Sequence, residues 1–272
     1  MHPLPPRDSL ELSSLRDGSR RDIPWDADVA PLSDARRAKL VHAWTWRREQ
    51  EHLAVGGFAR LSYEAAAHGC EPATLALLTR AATDEVPHAD VCRRVVEKHL
   101  GAPLPTAMRG APEPDAPLRG RPTEASARAL LLRIVETCCV SETMTGVYFT
   151  EMLEVATHPL GRAVVLSLLE DEVDHGRVGW AYLAAACRDG LAGAVADELP
   201  GILESHVAFV FDDAVSHPEA DDPELDQHGY VGRARAADIY RHGLRTVVLP
   251  GFDALDLDTR AARDRLAARG WI

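Results

Sequence analysis

Aromatic residues are scarce in this chain: Phe, Tyr and Trp make up 6% of 272 residues, five of each. That disfavours a β-rich fold, whose strands draw on aromatic and β-branched side chains. Paired cysteines are lacking too. Cys70, Cys92, Cys138, Cys139 and Cys187 are odd in number and include no CxxC, which argues against a secreted disulfide framework. No run approaches the ~20 apolar residues that a membrane span needs, and the proline-rich start of the chain has no apolar stretch of signal-peptide type. No segment alternates polar and apolar residues convincingly over a strand's length. Basic residues are outnumbered, 30 against 42, and the net charge of −12 repels phosphate backbones at long range. The expectation is a soluble, cytoplasmic protein with no nucleic-acid and no membrane partner.

What the chain has instead is alanine, leucine, arginine and glutamate, which lose little rotamer freedom in a helix. With 46% apolar residues it can bury a core without disulfides. An all-α fold is expected. Pro3, Pro5, Pro6, Pro24 and Pro31 mark residues 1–32 as an extended arm. Ser33 caps a helix running to about His68, with Gly69 as its stop. A second helix spans about Pro72 to Leu100, and residues 101–122, rich in proline and glycine, form a long crossover. A third runs from about Thr123 to Thr157, and a fourth from Pro159 to about Arg188. Residues 33–190 are thus a four-helix bundle with one long crossover. Residues 191–272 form a C-terminal helical extension: helices at about Ala194–Ser216, broken near Pro200, at about Arg233–Val248 and at about Thr259–Ala268, with an acidic loop at 217–230.

One motif occurs twice. Asp84-Glu85-Val86-Pro87-His88 stands in the second helix and Asp171-Glu172-Val173-Asp174-His175 in the fourth. Glu and His three apart on a helix differ by about 60° in direction, so both reach one metal ion. A lone Glu-x-x-His is a weak signal, and Glu49 to His52 supplies a third copy. The five-residue repeat is the specific feature. Phase supports it: Leu78, Ala81, Glu85, His88, Cys92 and Val95 share one face, as do Val165, Leu168, Glu172, His175, Gly179 and Tyr182. Two carboxylates on apolar faces are costly unless paired or bound to metal. In the first helix Glu51 shares a face with Trp44, Val55, Phe58 and Ser62, whereas Glu49 points to solvent. In the third, Glu142 shares a face with Val135, Cys138, Phe149 and Met152. Glu136 is about 120° out of phase and stands as the alternative ligand.

The order Glu51, Glu85/His88, Glu142, Glu172/His175 resembles the ferritin-like di-iron carboxylate superfamily over about residues 35–188. That resemblance implies a ferritin-like bundle with two metal ions between the helices. It also implies that Asp84 and Asp171 orient His175 and His88 across the site. Pro87 departs from the pattern by removing a backbone hydrogen bond beside the site. The carboxylate-rich set favours iron or manganese, so two iron ions are expected, with Mn/Fe or Mn/Mn as variants. Dioxygen is the expected co-substrate. The leading reading is an oxygenase or oxidase that hydroxylates, N-oxygenates or desaturates a small molecule, with a separate electron donor and a homodimer as further expectations.

The alternative is a ferroxidase or peroxide scavenger of the ferritin or rubrerythrin kind. Against it stand the C-terminal extension and the missing CxxC. By the same resemblance, a ribonucleotide-reductase radical subunit would carry tyrosine where this chain has Cys92. A metal-free helical binding protein is the second alternative. It needs basic groups in phase with the buried acids, and none is found by phase. Tyr148, Trp180 and Tyr182 read as core, and His228 as a loop residue without an identifiable partner. Gly146 and Gly179 leave room either for a substrate or for close helix packing.

Overall fold

The computed structural model describes residues 22–108 and 123–272. Of the expected arm only 22–32 is described, and 109–122 of the expected crossover lies outside the described residues. Every regular element among the described residues is helical. None of these helices is long and apolar enough to cross a membrane.

Helix α1 is Asp34–Ala67, opened by the Ser33 hydroxyl, which accepts from the Arg36 N–H. Helix α2 is Pro72–Leu100 and ends on Gly101, whose φ of 68° suits glycine. It runs unbroken through Pro87. Helix α3 has three contiguous parts: Glu124–Ile134, a π-helical stretch Val135–Glu142, and Thr143–Val155. A capping box between Thr123 and Ser126 starts it. Helix α4 is Pro159–Arg188. The short links 68–71 and 156–158 make α1/α2 and α3/α4 antiparallel neighbours. Contacts close a ring in which α1 packs on α2, α2 on α4, α4 on α3 and α3 on α1.

Side chains inside this ring form three layers. At one end Phe58, Leu61, Leu78, Ala81, Leu130, Ile134 and Val178 make an apolar cluster. At the other, Leu40, Trp44, Cys92, Val95, Phe149, Val165 and Leu168 make a second. Between them, on all four helices, lies a buried polar layer of Glu51, Glu85, His88, Glu142, Glu172 and His175. The 3.6-residue period repeats the order apolar, acidic, apolar along each helix, and this puts the acids at one level.

The C-terminal region builds a separate core against α3 and α4. Helix α5 is Ala192–Ser216, not Ala194–Ser216, and passes Pro200 without a break. An interior proline costs about 3 kcal/mol, while burying Val195, Leu199, Leu203 and Val207 contributes about 1.5–3 kcal/mol each. Burial wins. The 217–230 stretch, expected as loop, contains the short α6, Pro223–Asp226. Helix α7 combines Arg233–Gly243, a π-helical Leu244–Val248 and Leu249–Asp253, so it runs past its expected end. Helix α8 is Arg260–Ala268.

Candidate metal centre

Glu85 and Glu172, the acids of the repeated motif, face each other from α2 and α4. Around them the donors fall into two groups, Glu51/Glu85/His88/Glu172 and Glu85/Glu142/Glu172/His175, with the ligand-type atoms of each group all within 4.8 Å of one another. Both groups contain Glu85 and Glu172. All six side chains are buried, from 1% exposed at Glu85 to 7% at Glu142. The Nδ1 atoms of both histidines point inward. His88 Nδ1 lies 3.3 Å from Glu85, 3.6 Å from Glu51 and 3.8 Å from Glu172. His175 Nδ1 lies 3.2 Å from Glu85, 3.5 Å from Glu172 and 3.9 Å from Glu142.

The Nε2 atoms point outward to the motif aspartates, in crossed fashion. Asp171 on α4 meets His88 Nε2 at 3.1 Å, and Asp84 on α2 lies 3.5 Å from His175 Nε2. In a neutral ring, an Nε2–H facing its aspartate would turn the Nδ1 lone pair inward, the arrangement that a metal-binding imidazole needs; only the His88 Nε2 contact is within hydrogen-bond reach here. Arg80 bridges the two aspartates from outside, with Nε 3.3 Å from Asp84 and a terminal nitrogen 3.7 Å from Asp171.

Whether a cation fits is decided by the polar atoms left over. Glu85 Oε2, Glu172 Oε2, His88 Nδ1 and His175 Nδ1 are buried with no hydrogen-bond partner among the described residues. Orphaned buried polar atoms cost about 1–3 kcal/mol each, and more when charged. Four of them pointing into one space fit divalent cations, because hard oxygen donors and imidazole nitrogens are the ligands such ions take.

The electrostatics agree. Burial pushes the Glu51 carboxyl up to about 8, and the neighbouring Glu85 and Glu172 add to it. Glu142 is likewise raised well above the ordinary range, by burial and then by Glu172. Burial opposes the charge on both imidazoles, yet their carboxylates outweigh it. Asp171, Glu51 and Glu85 raise His88, and Asp84, Glu172 and Glu85 push His175 up to about 12. Burial would also raise Glu85, but the imidazoles of His175 and His88 beside it hold it below the ordinary range. Without a cation, protons do the work of neutralising the layer.

Of the two acids weighed on α3, Glu142 belongs to the layer, while Glu136 is exposed and belongs to neither group. Glu49 is exposed as well. The two glycines separate. A Cβ on Gly179 would collide with Cys138, so that glycine serves close packing. A Cβ on Gly146 would meet nothing within 4 Å. Gly146 lines a cavity of about 550 Å3 whose wall includes Glu142, Glu172, Thr143, Gly176 and Trp180. Trp180 is half-buried there, its Nε1–H donating to Thr143 Oγ1 at 2.9 Å.

The expectation that no basic group lies in phase with the buried acids is corrected by Arg47. It stands one turn before Glu51, with Nε 3.9 Å from the carboxylate. A guanidinium at that distance does not make a hydrogen bond, and it leaves the inward-facing atoms of Glu85 and Glu172 unpaired. Family models, curated proteins and solved structures were all compared with this chain, and none matches.

Proposed function

We propose that the chain is a ferritin-like dinuclear metalloprotein, most simply a di-iron oxidase or oxygenase that uses dioxygen on a small molecule. The observation that carries this reading is the pair of donor groups sharing Glu85 and Glu172, with four buried atoms aimed inward and unpartnered. Glu51 and His88 would hold one ion and Glu142 and His175 the other, with Glu85 and Glu172 common to both. Six donors with four carboxylates balance two divalent charges, which favours iron or manganese over softer metals. Two such ions bound there would supply two electrons to dioxygen.

The chain's own groups have definite tasks. Asp171, at 3.1 Å from His88 Nε2, orients that ring, and Asp84, 3.5 Å from His175 Nε2, would do the same on closer approach. Glu51 and Glu142, both raised by burial in the metal-free layer, would give up protons on binding cations. The Glu142/Glu172 wall of the 550 Å3 cavity gives a small molecule access to one side of the centre. Val147, Leu169 and Trp180 make part of that wall apolar. Repeated turnover requires an external electron donor.

The test is anaerobic loading with ferrous iron followed by measured addition of dioxygen. The proposed oxidase consumes roughly one dioxygen per two irons and then stops until it is reduced. Continued oxidation of many irons per chain into a mineral would favour the ferroxidase alternative, and no uptake would remove both.

A further inference from the structure

We propose that a second cavity, walled by α1, α3, α5 and α7, is a binding site for a small aromatic carboxylate anchored by Arg47. The cavity has a volume of about 810 Å3, within the range of about 300–1,000 Å3 typical of small-molecule sites. Its lining includes Arg47 but none of the six acids and imidazoles of the metal centre.

Arg47 is placed as an anion receptor. Its side chain is 16% exposed, and its one ion pair among the described residues is the 3.9 Å approach to Glu51. Aromatic faces surround it instead: the guanidinium lies 4.7 Å from the Phe149 ring centre, 5.4 Å from Trp46 and 5.5 Å from Tyr148. Such rings hold the cation without using up its N–H groups. The planar fork is left free to bind a carboxylate through two parallel hydrogen bonds.

Neighbouring charges restrict the ligand to a single negative charge. Lys39 at the rim is already paired with Glu219, and Arg233 lies 2.6 Å from Asp213. A dianion would therefore lack a second unpaired cation. Burial pushes the His206 imidazole down to about 4, so it faces the cavity as a neutral hydrogen-bonding group.

The body of the ligand follows from the walls. Of the fifteen aromatic residues in the chain, seven line this one cavity, among them Trp44, Phe209 and Tyr240. Trp46 and Phe209, 40% and 49% exposed, pair at 6.3 Å between ring centres. In a protein poor in rings, this concentration suits a flat apolar body that stacks. The inference depends on Arg47 and the cavity, and it stands whether or not metal is bound.

Calorimetric titration of the full chain with 1-naphthylacetate, its neutral twin 1-naphthylacetamide, and acetate tests it, with metal-loaded and chelator-treated protein run in parallel. The expected result is one naphthylacetate per chain, bound at least about tenfold more tightly than the amide or acetate, since the amide lacks the charge-assisted pair and acetate lacks the stacking body. Arg47→Met removes that preference. Phe209→Asp, a change at an exposed position, weakens the acid more than the amide. Should Arg47→Met fail to fold, the acid–amide comparison on the unaltered chain and the Phe209 variant still decide. Equal binding of acid and amide, no binding of either at millimolar concentration, or an unchanged preference in Arg47→Met overturns the proposal. Binding that persists in chelator-treated protein while no metal binds would sink the dinuclear reading and leave this site standing.

Discussion

Glu51 and Glu142 occupy matching positions on either side of the Glu85/Glu172 pair, each with a histidine from the repeated motif, but their surroundings differ. Glu142 stands in the wall of the 550 Å3 cavity beside Gly146, and its one ion-pair partner among the described residues is the motif histidine His175, 3.9 Å away, with no Lys or Arg. Glu51 is backed by Arg47, and behind Arg47 lies the aromatic cavity. The repeat thus supplies two chemically equivalent halves, and the non-repeated helices α5 and α7 make them unequal. One half borders the 550 Å3 cavity directly, while Arg47 stands between the other half and its cavity. Equivalence is a property of the donor layer, and access is a property of what packs around it.

The shared acids offer the strongest way to break the symmetry of the halves, because each belongs to both groups. Glu85→Ala or Glu172→Ala should drop metal content from two ions per chain to below one, measured by elemental analysis after iron loading. Glu51→Ala and Glu142→Ala should instead each leave about one ion, since only one group loses a donor. If Glu85→Ala retains a full single ion, the acids are not shared.

The motif aspartates come next. Asp171→Asn should weaken metal affinity by about 10–100-fold, and Asp84→Asn by less, because Asp171 holds its histidine at 3.1 Å and Asp84 at 3.5 Å. Competition with a chromophoric chelator measures both, and a larger loss in Asp84→Asn would contradict the geometry. Blocking access should sharpen the contrast without touching a donor. Gly146→Leu fills open space, so metal content should stay at two while the rate of dioxygen consumption falls, on the order of tenfold. An unchanged rate would show that access lies elsewhere.

The smallest effect is the pH dependence of the metal-free chain. Glu51, raised from 4.5 to about 8, is neutral when folded but charged when unfolded between those values. His88 and His175, also raised, remain protonated when folded above the pH at which they lose their protons unfolded. In both cases the folded chain holds more protons, so stability falls as pH rises. The melting temperature of chelator-treated protein should drop by on the order of 5 °C between pH 5.5 and 8, and bound metal should reduce that slope. A rising melting temperature would mean that these groups are not buried as described.

The four long helices and the buried layer were legible in sequence because a repeated pentapeptide and a 3.6-residue period are local signals. Glu142 was separated from Glu136 by phase alone, and burial now separates them fully. What was not legible has no periodic mark. The π-helical Val135–Glu142 adds residues per turn without a distinctive composition. Arg47 lies four residues before Glu51, but nothing local marks its role, because its other neighbours, Tyr148 and Phe149, come from a helix about 100 positions away. His228 does lie in a turn with neither ring nitrogen hydrogen-bonded, but it is buried, its ring 5.1 Å from that of His99 and 4.7 Å from that of His158. Such long-range contacts depend on tertiary packing, as do the two cavities.

Anaerobic titration of the metal-free chain with ferrous iron, followed calorimetrically in two buffers of different protonation enthalpy, tests the dinuclear centre most directly. The expected result is saturation at two ions per chain with release of roughly two to four protons, because cations take over the neutralising role of protons on Glu51, Glu142, His88 and His175. Saturation below one ion, or binding without proton release, would contradict it.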